Sequence, residues 1–218
     1  MRVTARDNST PEPRALPRRV PALGRAVSGR QGHCACRWAV RYRARAPPVQ
    51  VEAADASEGD RSIITFSEPR DVRGTALLTH SKIEPDDDSQ WIFLPAVKRV
   101  KRISSSNRTG KFVSSEFSYE DLGSEEVADN HHIWLEDAPC THDASLTCAA
   151  VESRPKNKKS GYSRRVSFID LAEYRVHRID FYNRRGDLEK SLKFKDYKQY
   201  EGQFWRAHVM IMENIQTG

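Results

Sequence analysis

From about Gly59 onward the chain is written in short segments of alternating apolar and polar residues, cut at intervals by turn formers. A period of two places successive side chains on opposite faces of a strand. It leaves little room for helices, whose apolar residues recur every three or four positions. The expected strands are 61–66, 73–82, 89–95, 98–104, 130–137, 145–153, 162–170, 175–183, 187–197 and 203–215. Between them lie Glu84 to Ser89, Asn107 to Gly110, Arg154 to Gly161, Asn183 to Asp187 and Gly202. Short strands at this spacing form an antiparallel meander, closed or half-closed into a barrel. No internal repeat is present.

The alternation is cleanest late in the chain. Leu188, Leu192 and Phe194 share one face of their strand, with Glu189, Ser191, Lys193 and Lys195 on the other. Ile179 and Phe181 oppose Arg178 and Asp180 in the same way, and Asn183 to Asp187 reads as a hairpin turn in which Gly186 supplies a positive φ. These strands describe a sheet with one face for a core and one for water. Trp91 to Leu94 and the strand 203–215 are apolar on both faces. In the second, Trp205, Ala207, Val209 and Ile211 lie opposite Phe204, Met210 and Met212. Such strands are covered on both sides, or one face lines a cavity; Met and aromatic side chains suit a cavity for flexible chains because they repack at low cost.

Charge divides the chain in two. Overall there are 36 basic and 30 acidic residues. Residues 1–56 hold eleven Arg, no Lys, four acids and six of the eleven prolines, leaving the remainder with 25 basic and 26 acidic residues. The basic stretch lacks a sustained apolar period and is expected to be a disordered extension outside the domain, with residues 57–218 as the domain. A transit peptide is the alternative reading of its Arg-rich, acid-poor composition. A near-neutral domain is a poor phosphate-binding surface, so nucleic acid is not an expected partner. The apolar run Val20 to Gly24 is too short for a secretory core, and no segment reaches the ~18 apolar residues of a membrane span.

No catalytic constellation and no cofactor is expected. Cys34 and Cys36 beside His33 lack zinc-knuckle spacing and a second pair. Asp86 to Asp88 are contiguous, whereas calcium loops space their oxygen ligands, so a solvated turn is expected. His131 and His132 point to opposite faces of a strand and cannot share an ion. His142 and Asp143 have no nucleophile in a familiar setting. Cys140 and Cys148 bracket a hairpin tip and are either bridged or two buried thiols, because spacing does not give the Cα separation. Lys98, Arg99, Lys101 and Arg102 split between two faces, as in an outer strand protected by charge; a modest attraction to anionic lipid headgroups is the second option.

Several stretches, in order, resemble the outer-membrane lipoprotein-sorting proteins, relatives of the LolA carrier. They are Phe66 to Thr75, Gln90-Trp-Ile-Phe-Leu-Pro-Ala-Val-Lys-Arg-Val-Lys-Arg102, Ser114 to Leu122, Tyr162 to Asp170, Phe181 to Lys190 and Met212 to Gly218. The resemblance implies a mainly β fold, a curved antiparallel sheet forming an incomplete barrel with short helices. It implies a non-enzymatic periplasmic carrier of lipid or lipoprotein acyl chains, with an inner-membrane lipid exporter as a further partner and only transient membrane contact. Family members begin with a signal peptide and a helical plug and continue into further strands, so the resemblance also implies truncation at both ends.

The candidate cavity lining is Trp91, Phe93, Phe168, Ile179, Phe181, Leu192, Phe194, Met210 and Met212, each of which ordinary core packing also explains. A carrier requires an open concave apolar face. The alternative, a sheet module that docks on a membrane transporter or envelope protein, requires a filled one.

Overall fold

The alternating segments become strands at nearly the expected places. In the computed structural model the described residues are 61–217, apart from 83–87, 124–125 and 142, together with the backbone of 32–35 and 39–43. In chain order the strands are β1 Gly32–Ala35, β2 Ala39–Arg43, β3 Arg61–Phe66, β4 Ala76–His80, β5 Ser89–Leu94 and β6 Arg99–Ile103. Then follow β7 Asn130–Cys140, β8 Asp143–Pro155, β9 Tyr162–Asp170, β10 Val176–Asn183, β11 Leu188–Tyr200 and β12 Phe204–Asn214. Helix is confined, among the described residues, to the 3-10 turns Ser105–Asn107 and Val127–Asp129.

Two antiparallel runs, β3 to β6 and β7 to β12, make up the sheet and are joined side by side through β2 and β1. The spatial order is β6-β5-β4-β3-β2-β1-β12-β11-β10-β9-β8-β7, curved but not closed, which is an incomplete barrel. β1 runs parallel to β12, and among the described residues β2 meets β3 through Tyr42↔Phe66 and Arg43↔Thr65. The extension read over residues 1–56 otherwise lies outside the described residues. That β1 and β2 fall within it was not expected from composition. The open flanks of β12 and β3 supply backbone partners that local sequence does not reveal.

The hairpin turn at Asn183 forms as its residues dictate. Gly186 has φ +91° and donates its N–H to the Asn183 carbonyl at 2.9 Å, while the Asn183 side-chain oxygen accepts from Arg185 and Asp187. β6 takes the outermost place with Arg99 to Arg102 exposed, as its charge pattern requires. His132 bonds Ser153 Oγ and the Val127 carbonyl, both at 2.9 Å, so its ring nitrogens serve the fold.

β6 and β7 are consecutive strands at opposite ends of the spatial order. Their connection, residues 104–129, therefore has to cross the open side of the curved sheet. Its aromatic residues do so from inside. Phe112 and Phe117 join one buried cluster with Phe66, Val72, Leu77 and Ile92 from the first run and Tyr162, Ile179, Phe181, Leu192 and Met212 from the second. Burying side chains of this size contributes about 1.5–3 kcal/mol each, so this cluster holds the two runs together.

Candidate functional site

Cross-strand register assembles the apolar face. Ile179 pairs with Leu192, and Leu192 with Met212. One row away Phe181 pairs with Lys190, and on the other side Phe194 pairs with Met210. The result is a continuous patch of Ile179, Phe181, Leu192, Phe194, Met210 and Met212 on the core side of β10–β12, in which Phe194 and Met210 stay partly exposed.

Trp91, Phe93 and Phe168 do not join this patch. On β5 the core takes Gln90, Ile92 and Leu94, so Trp91 and Phe93 point to the opposite side. There Trp91 lies edge-on to His80 at 4.9 Å and under Arg102 at 5.9 Å. Phe168 sits on the other face of the second run, beneath the Arg178 guanidinium at 3.9 Å. In a strand apolar on both sides, the parity facing the core is decided by what the neighbouring loop brings, and residues 104–122 cover the Ile92 side.

The covering segment is held by polar anchors that the sequence did not disclose. Phe112 packs on Phe66 with ring centroids 4.7 Å apart and on Tyr119 at 5.5 Å. The Phe112 N–H donates to the Phe117 carbonyl at 2.7 Å, closing a turn in which Val113 and Ser114 take φ of 42° and 60°. A β-branched residue in the left-handed region is strained, by about 1–3 kcal/mol. Lys190 Nζ lies 2.6 Å from Asp121 Oδ2 and also donates to the Glu116 carbonyl at 3.1 Å. Asp121 accepts further bonds from Tyr162 OH and Ser118 N–H, both at 2.7 Å. Burial, then the Asp121 charge, pushes the Tyr162 phenol far up, so it stays a donor.

Beside this anchor opens a polar cleft of about 1040 Å³ lined by Ser104 to Ser106, Lys111, Glu116, Glu120, Arg184, Arg185 and Lys190, among others. Lys111 binds Glu116 at 2.7 Å and, against some burial, holds its carboxyl below the usual range. Glu120 accepts from Ser160 Oγ and from the Gly161 N–H. The two sequence elements that could have marked this region are the Phe112/Phe117 pair, five residues apart in a Ser-rich turn, and Lys190 on an otherwise apolar strand face.

A second buried polar centre closes the far end of β9. Asp170 is fully buried and accepts from the Glu173 and Arg175 N–H groups, from Arg175 Nε at 2.8 Å and from His177. Burial would raise its pKa, but these donors together hold it below the ordinary carboxylate value. Glu152, between Arg164 and Arg154, is lowered in the same way against its burial. A depressed folded-state pKa contributes stability above the unfolded value, and that stability is lost as pH falls through the folded one. Urea unfolding is therefore expected to give a flat stability above about pH 5 and a decline below about pH 4. Asp170→Asn should flatten that acid decline, whereas an unchanged decline would remove Asp170 from the explanation.

Cys140 and Cys148 form a disulfide across the β7–β8 tip, with Cα atoms 5.0 Å apart, which resolves the alternatives left by spacing. No helix among the described residues is long and apolar enough to cross a membrane.

A family model described only as "Uncharacterized protein" matches residues 58–218. No curated protein gives a significant match. Among solved structures, an outer membrane lipoprotein-sorting protein domain from Vibrio parahaemolyticus is 41% identical, covers 83% of this chain and 72% of its own, and superposes with a TM-score of 0.70. A DUF1329 family protein from Desulfovibrio piger is 26% identical, covers 81% and 71%, and superposes at 0.66. A LolA superfamily protein from Nitrosomonas europaea, at 19% identity, 83% and 70% coverage and a TM-score of 0.55, shares the fold. With 41% identity over 83% of its length to the first of these, the chain belongs to the family of outer-membrane lipoprotein-sorting protein domains, and it has a LolA-like fold.

Proposed function

We propose that the protein is a periplasmic, non-enzymatic carrier that shields an acyl chain of a lipid or lipoprotein on the core side of β10–β12. The observation that carries this reading is the continuous patch of Ile179, Phe181, Leu192, Phe194, Met210 and Met212, partly open at Phe194 and Met210. Kinship with a lipoprotein-sorting domain supports it. Each buried methylene contributes ~0.8 kcal/mol, so one fatty chain costs on the order of 10 kcal/mol to expose to water. A soluble carrier must therefore supply an apolar lining, and it must also let go.

The segment 104–122 supplies a means of release. Phe112 and Phe117 occupy the patch when no cargo is present, so loading exchanges aromatic side chains for an acyl chain and unloading reverses the exchange. The difference in free energy stays small, which prevents the cargo from being trapped. Strain at Val113 lowers the cost of moving the segment aside. Delivery then requires a membrane-side partner, such as an inner-membrane exporter, and brief membrane contact.

Native mass spectrometry of the chain purified from a periplasm, with cis-parinaric acid titration, tests this. Co-purified lipid or acylated peptide and a saturable fluorescence rise are expected. A folded protein that carries nothing and ignores the probe would sink the reading. That outcome favours a module docking on a membrane transporter or envelope protein. One feature already points that way: the outermost strand β7 exposes Ile133, Trp134 and Leu135 at 46%, 37% and 48%.

A further inference from the structure

Three soft or borderline ligand atoms, from β7, β8 and, across β9, β10, meet in the interior. Cys140 Sγ, Cys148 Sγ and a ring nitrogen of His177 all lie within 4.8 Å of one another. The three residues are 3%, 0% and 7% exposed. Behind them, His177 Nε2 is 3.1 Å from Asp170 Oδ2. Asp170 is fixed in turn by Arg175 at 2.8 Å. With a carboxylate on one ring nitrogen, the other remains to take a metal, an arrangement by which proteins orient a metal-binding histidine and raise its basicity.

We propose that Cys140, Cys148 and His177 form a zinc site when the disulfide is reduced, so that the S–S bond and the metal are alternative occupants of one position. Tetrahedral zinc with Zn–S near 2.3 Å and Zn–N near 2.0 Å sets its ligands about 3.5–3.8 Å apart. The three atoms already fall within 4.8 Å, so shifts of about one to two ångströms, the parting of the bonded sulfurs among them, complete the geometry. The register shift between Pro139 and Cys140, next to the hairpin tip, gives that movement its slack. Two thiolates favour a soft cation such as zinc over magnesium or calcium.

The chemistry balances with a dithiol as reductant. The dithiol gives two electrons and two protons to the Cys140–Cys148 bond and leaves as its own disulfide. Zinc then displaces the two thiol protons to solvent, and its double charge is matched by the two thiolates. Water takes the fourth position.

The test uses the full chain, oxidised or reduced with a phosphine under anaerobic conditions, titrated with Co²⁺ and then displaced with Zn²⁺. One equivalent of tetrahedral cobalt, with thiolate charge-transfer absorption, is expected only after reduction. His177→Ala should weaken binding at least about tenfold, and Asp170→Asn by roughly 10–100-fold. Circular dichroism checks that each variant keeps its β signal. If the reduced chain unfolds, Zn²⁺ should restore the signal; failure to do so overturns the proposal. So does a folded, reduced protein that binds no cobalt, or one that binds it equally well without His177.

Discussion

Lys190→Met is expected to destabilise the domain by about 3–5 kcal/mol, measured as a lowered urea midpoint at neutral pH with the slope unchanged. The Lys190 and Asp121 side chains are only 6% and 1% exposed, and their charged atoms are 2.6 Å apart. Removing the ammonium leaves the Asp121 carboxylate in the interior with the Tyr162 hydroxyl and the Ser118 N–H as its remaining strong partners. The cost is the desolvation of an unpaired charge, and it exceeds the worth of the contact itself. Lys190 also stands 5.2 Å and 5.5 Å from the Tyr162 and Phe181 rings, so methionine keeps most of its packing. A double change, Lys190→Met with Asp121→Leu, should recover much of the loss, because a buried pair replaced by apolar groups is close to neutral. A single-variant loss under ~1 kcal/mol would mean that water reaches the pair.

The second large effect is expected in the covering segment 104–122. Phe117→Ala removes a ring that is 4% exposed and sits in the cluster with Ile179, Leu192 and Met212. Truncating a buried phenylalanine costs about 3–5 kcal/mol, a large share of the ~5–15 kcal/mol that holds a typical domain. Under the carrier reading the same change vacates space on the apolar face. Affinity for cis-parinaric acid should then rise while the thermal midpoint falls, and saturating probe should return part of the lost stability. Loss of stability with no gain in binding would show that the face simply collapses, which is the behaviour of a filled core.

These two residues mark the limit of what could be read from sequence. β10 and β11 were legible because Ile179, Phe181, Leu192 and Phe194 alternate with charged residues, and a one-residue slip would turn all of them to water. The hairpin between them was legible because Gly186 and Asn183 are turn chemistry. The segment 73–82 shortened to Ala76–His80 because Gly74, at φ +82°, belongs to the turn before it. Trp91 and Phe93 were indistinguishable from Ile92 and Leu94 by pattern, since a strand apolar on both sides gives no parity.

By itself, then, the sequence determined the local quantities. These are the strands, their turns, the parity of the half-charged ones, the charged outer strand β6, and the ordered motifs that mark the family. Each of these depends on residues within a few positions of one another, so propensity and periodicity suffice. Only the tertiary structure decided which face of β5 is core, that Phe112 and Phe117 join the buried cluster with Ile179, Leu192 and Met212, that Lys190 meets Asp121, and that His177 stands beside the Cys140–Cys148 bridge. Those are meetings of residues far apart in the chain, 69 positions in the Lys190–Asp121 pair, and several of them come about when the connection between the two outermost strands crosses an unclosed sheet. The free energy that selects them is burial of apolar surface and desolvation of charge, which depend on the assembled shape and leave no period in the chain.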